Sequence, residues 1–135
     1  MFKAIQTSVS GLIASSTRLN VAANNIVNSQ VRSSPEAQGT AVAGQTFKAG
    51  YTPQRVEQTS LPTGGTRATT ISVSPASLSV YDPSSSFAGE GGFVNLPNVS
   101  FPAEIAEMIR ASHAYKANAK TLSSIDETFK ALLKV

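Results

Sequence analysis

The chain has 135 residues, 41% of them hydrophobic, with no Cys and no Trp, and a formal charge of +3 from 11 basic and 8 acidic side chains. Without cysteine there is no disulfide and no thiolate metal site, and no stretch approaches the roughly 20 apolar residues that a bilayer-spanning helix requires. The charge is too scattered for a nucleic-acid footprint: residues 1–30 hold Lys3 and Arg18 and no acid, while Arg32, Lys48, Arg55 and Arg67 are balanced by Glu36, Glu57, Asp82 and Glu90.

Residues 3–28 read as one helix. Phe2, Ile5, Val9, Leu12, Ser16, Leu19, Ala23 and Ile26 recur in alternating steps of three and four, the spacing of a coiled-coil seam. The d positions Ile5, Leu12, Leu19 and Ile26 are large, whereas the a positions shrink from Val9 to Ser16 and Ala23. Ridges alternating with notches let helix backbones approach closely and fix their register. The polar residues Gln6, Thr7, Ser8 and Ser10 interrupt the apolar run that a signal peptide needs, so no cleaved leader is expected. Asn20, Asn24, Asn25 and Asn28 then weaken helix propensity, and the Ser- and Gly-rich stretch from Ser29 to Gln45 marks a stop and a flexible connector.

From Thr46 the pattern becomes extended. Residues 51–60 form one run, Pro62-Thr63-Gly64-Gly65 a turn, and Thr70 to Val80 a second run that Pro75 breaks into two short strands. Tyr81-Asp82-Pro83 opens a loop that Gly89-Glu90-Gly91-Gly92 closes. These features predict a small, twisted, β-rich middle with few large residues.

Ser100 is placed to cap the last helix, with Pro102 and Glu104 in its first turn, where a missing N–H is tolerated and a negative charge is favoured. Phe101, Ile105, Met108, Ser112, Tyr115, Ala119, Leu122, Asp126, Phe129 and Leu133 repeat the three-four step, with Ser112 and Ala119 as small layers. Near the end, Ile125 and Leu132 offer a second register beside Asp126 and Leu133, and Asp126 can pair with Lys130. The expected fold is α+β: long N- and C-terminal coiled-coil-forming helices packed together, with a small β-rich or irregular middle. The corresponding divisions are an axial helix over 1–30, a connector and β-rich region over 31–98, and an axial helix over 99–135. Each part alone is too small for a generous core, which predicts a partly ordered monomer that partner chains complete.

Little chemistry is written between the helices. His113 is the only His and lies off the seam, so a triad or metal site would have to be built around it with carboxylates alone. Glu104, Glu107 and Arg110 read as salt bridges on a helix face. The Gly89–Gly92 loop lacks the Lys-Ser/Thr that a phosphate cradle requires. No catalytic, cofactor or metal site is expected, and no small-molecule substrate.

The stretch Arg18-Leu19-Asn20-Val21-Ala22-Ala23-Asn24-Asn25-Ile26-Val27-Asn28 resembles the signature of bacterial flagellar axial proteins, the rod, hook and hook-associated subunits. Within that group, Tyr81-Asp82-Pro83, Gly92-Phe93-Val94, Leu96-Pro97-Asn98-Val99, Glu104, Met108 and Ala114-Tyr115-Lys116-Ala117-Asn118 are similar to the C-type proximal rod proteins. Residues 31–60 carry hardly any of the likeness.

The resemblance implies a structural subunit of the flagellar basal-body rod, with Asn20, Ala23, Asn24, Asn25, Asn28, Pro97, Asn98, Tyr115 and Asn118 as motif positions. It implies export through the flagellar type III apparatus, without a cleaved signal, and assembly with other rod subunits and further copies into a helical tube across the periplasm. The rival expectations are another axial subunit, or a soluble helical adaptor or secretion chaperone, which would be a folded dimer in solution.

Overall fold

A computed structural model describes residues 2–35 and 50–134. It is an α+β chain in the order α1 (Phe2–Asn28), β1 (Gln54–Ser60), β2 (Thr66–Ser72), β3 (Ser77–Tyr81), β4 (Phe93–Pro97) and α2 (Phe101–Leu133). Both long helices fall where the heptads predict them. Most of the connector expected over Ser29 to Gln45, and Thr46 where extension was expected to begin, lies outside the described residues. Among the described residues no helix is long and apolar enough to cross a membrane.

The chain divides into two compact units, one of Met1–Ala23, Arg55–Ile71 and Pro102–Val135, the other of Asn24–Gln54 and Ser72–Phe101. In the first, α1 and α2 pack antiparallel, because Arg18 meets Glu107 while Gly11 lies against Asn118. Small side chains line this approach: Gly11 lies under Asn118, and Ser8 and Ser15 on α1 and Ala111 on α2 are buried. The β1–β2 hairpin seats its turn on α1. Thr66 N–H donates to Ser10 Oγ at 3.1 Å, and Gly65 lies so close to Ser10 that a Cβ would not fit. Gly64 and Gly65 both take positive φ, 95° and 91°, which reverses the chain where the Pro62–Gly65 turn was expected. Since that turn is complete at Gly65, β2 begins at Thr66, four residues before the Thr70 expected from side-chain alternation.

In the second unit β3 and β4 pair antiparallel from Ser77↔Pro97 to Tyr81↔Phe93. Pro75 separates β2 from β3 as expected, through a cis Ser74–Pro75 peptide. The loop after β3 is closed at Gly92, whose carbonyl accepts Asp82 N–H at 2.9 Å. Sequence reading leaves out β4, since its Asn95 and Pro97 are poor strand residues. Yet β4 holds the centre of this unit: Val94, Asn95 and Pro97 are buried, and Ser33 and Asn95 exchange N–H···O bonds of 3.0 and 2.9 Å on the edge away from β3. Pro97 is tolerated because it stands at the strand's last position, and Asn95 Oδ1 accepts the Ser79 hydroxyl at 2.8 Å.

Candidate assembly surface

Each helix presents two stripes. On α1 the intramolecular stripe is Ser8, Ala14, Ser15, Val21 and Ala22, with Gly11 and Arg18 between them. The heptad seam lies roughly a third of a turn away at 100° per residue. Its ridge residues Ile5, Leu12, Leu19 and Ile26 and its notches Ser16 and Ala23 are half-buried, while Val9 is exposed. Further round on the same side, Phe2 (84%), Ile13 (63%) and Val27 (80%) stand in solvent. The apolar side of α1 is therefore wider than its intramolecular contact uses.

On α2 the stripes lie closer together. Met108, Ser112, Ala119, Leu122 and Phe129 are half-buried, and Ile105 and Tyr115 are exposed, with Ile109 beside them. Toward the C-terminus Ile125 is half-buried and Asp126 is exposed, bound to Lys130 at 2.6 Å, whereas Leu132 and Leu133, one from each register, are both exposed. Ser100 immediately precedes the first helical residue, the position expected of a cap.

Between the helices stands an ion-pair cluster. Glu107 accepts a hydrogen bond from Arg18 Nε and lies 3.2 Å from Arg110 Nη2. The Arg18 hydrogen bond holds the Glu107 carboxyl below its ordinary value, against partial burial that pushes the other way, with the charges of Arg18 and Arg110 adding to the lowering. The Glu107–Arg110 bridge was legible in the helix spacing; the tie from Glu107 to Arg18, 89 positions away, was not.

The motif residues divide by role. Asn25 is buried, donates through Nδ2 to Gln54 O at 2.7 Å and accepts from the Tyr51 hydroxyl at 2.8 Å. Asn28 Nδ2 donates to Asn24 O at 2.8 Å, while Asn20 and Asn24 are exposed. Asn118 donates to Ala114 O at 2.8 Å and lies across Gly11. Asn98 ties down the chain before α2, its N–H to Ala76 O at 2.9 Å and its Nδ2 to Pro75 O at 3.0 Å. Sequence reasoning missed Gly11, Ala14, Ser15 and Tyr51. The spacing of Ser8, Gly11 and Ser15, small residues three and four apart, was the available signal for Gly11 and Ser15.

His113 is exposed, and no three His, Cys, Asp or Glu side chains among the described residues are grouped to hold a metal. An open depression of about 450 Å³ in the second unit is lined by Ser29, Gln30, Arg32, Phe87 and Leu96, with Arg32 lying 3.5 Å from Asp82.

Residues 90–135 match the model of a family described as flagellar basal body rod FlgEFG protein C-terminal, and the full-length relatives agree on the class, flagellar rod proteins. Over 118 residues the chain is 32% identical to the flagellar basal-body rod protein FlgC of Salmonella typhimurium, covering 86% of this chain and 83% of the relative. The FlgC proteins of Aquifex aeolicus (30% identity, 96% and 92% coverage) and Borreliella burgdorferi (28%, 100% and 97%) are similar over nearly the whole length. The chain belongs to the FlgC family of flagellar basal-body rod proteins.

Proposed function

We propose that this chain is a structural subunit of the proximal flagellar rod, joining other rod subunits and further copies of itself in a helical tube that transmits torque. The observation that carries the reading is the division of labour on α1. Small residues hold α2, while the ridge-and-notch seam and the exposed Phe2, Val9, Ile13 and Val27 face away from that contact. A second helix from a neighbouring subunit would bury them. Head-to-tail contacts between unlike surfaces build open filaments, as a rod requires. The parts 1–30 and 99–135 then act as axial helices and 31–98 as the connector and outer β region.

The role is structural, with no catalysis, cofactor, small-molecule substrate or nucleic acid. Export runs through the flagellar type III apparatus without a cleaved leader, and the chain completes its folding in the rod, in the basal body. Imaging a tagged chain in purified basal bodies tests this: label within the rod is expected, and label absent from otherwise complete basal bodies would overturn it.

A further inference from the structure

We infer that Asn25 is a positioning residue that couples the end of α1 to the segment Tyr51–Gln54, its carboxamide standing in for a neighbouring β-strand. Nδ2 donates to Gln54 O at 2.7 Å, and Oδ1 accepts Gln54 N–H at 3.1 Å and the Tyr51 hydroxyl at 2.8 Å. One planar amide thus satisfies both backbone groups of a single residue, as one partner in an antiparallel ladder does for the residue opposite. Because it reads only the backbone of Gln54, that contact is indifferent to the exposed side chain there.

Two further features hold the segment in place. Pro53, fully buried, fixes its own φ and keeps Thr52 extended. Its carbonyl accepts Val73 N–H at 2.9 Å, so the segment is also held from the chain that follows β2. Asn25 is 1% exposed, so water does not replace a bond lost there. The last turns of α1 and residues 51–54 therefore open and close as one cooperative piece. In a subunit that completes its folding in the rod, docking of α1 orders the strand segment as well; that use rests on the function proposed above, while the coupling itself does not.

Asn25→Asp tests the inference, because the two side chains have the same shape. At neutral pH the carboxylate has no proton to give Gln54 O. Hydrogen exchange at the Gln54 amide and in the last turn of α1 should then quicken together, roughly tenfold or more, relative to wild type. Acid re-forms a neutral carboxyl that can donate to Gln54 O as the amide did; burial and the facing carbonyl favour that form, while the Gln54 N–H and Tyr51 hydroxyl on Oδ1 favour the charged one. Protection at the two places, compared with wild type at the same pH, should return as pH falls through the variant's pKa and be lost as pH rises through it. Tyr51→Phe should produce a smaller loss at both places.

The measurements are made on the purified full chain and on the chain in isolated basal bodies. Three outcomes overturn the inference: an unprotected wild-type Gln54 amide in both samples, an Asp variant that matches wild type at neutral pH, or a defect that acid leaves unchanged. A chain missing from basal bodies would sink the rod reading and leave the result on the purified chain standing.

Discussion

The side chain of Asn118 lies so close over Gly11 that a Cβ at position 11 would stand 2.6 Å from its Oδ1 and 2.7 Å from its Cγ. The Asn cannot swing aside freely, because its Nδ2 is bonded to Ala114 O at 2.8 Å. Gly11→Ala would ordinarily gain about 1 kcal/mol in a helix interior. Here overpacking, about 1–3 kcal/mol, should outweigh that gain. Urea unfolding should show a less stable G11A chain and recovery in G11A/N118A, a coupling that a double-mutant cycle isolates. A stabilised G11A single variant would contradict the close approach.

Glu107 gives the helix pair an acid limit. Its folded pKa is lowered, so the stability it contributes is present above the ordinary carboxylate value and lost as pH falls through the lowered one. Helicity monitored against pH should decline in that window. Glu107→Gln should remove that part of the decline and lower stability at neutral pH on the order of 1 kcal/mol, as for a partly exposed pair. An identical acid profile in the variant would show that other carboxylates set the limit.

Two substitutions by the same residue separate the inner stripe from the seam. Ala111 is fully buried, so Ala111→Leu should destabilise the chain itself by about 1–3 kcal/mol or more. Ala23→Leu and Ala119→Leu, at half-buried notches, should leave expression and export intact and abolish swimming by overfilling the contact with neighbouring subunits. Motility assays beside thermal melts of the purified variants check both. Normal swimming in Ala23→Leu would count against the seam.

Gly92 has φ +74°, and a Cβ there would stand 2.9 Å from Tyr81. Gly92→Ala should cost about 1–2 kcal/mol in backbone strain and disturb the edge-on Tyr81–Phe93 pair, whose centroids are 5.4 Å apart. Loss of the near-ultraviolet tyrosine signal at unchanged helicity would report it.

Periodicity made the helices legible, and Pro75 and the Gly64–Gly65 turn made the strand breaks legible. The partner face of α1 was not, because hydrophobic periodicity selects Ile5, Leu12, Leu19 and Ile26, whereas α2 is met through Gly11 and Arg18, on the side where the small residues Ser8 and Ser15 are buried. Close packing between backbones leaves its trace in side-chain smallness, which a search for large apolar residues discards. Strand β4 was lost for a related reason: Asn95 and Pro97 read as loop residues until Ser33 and Ser79 partner Asn95 and Ser77 pairs with Pro97. On α2, Ile125 and Asp126 were ambiguous in sequence, and burial decides for Ile125.

The Ser33–Asn95 bridge also fixes a mechanical route through the chain. Four residues separate the end of α1 from Ser33, and three separate the end of β4 from the start of α2. A turning load entering at the end of α1 can therefore leave through α2 across one pair of backbone bonds, bypassing the intervening 61 residues from Ser34 to Val94.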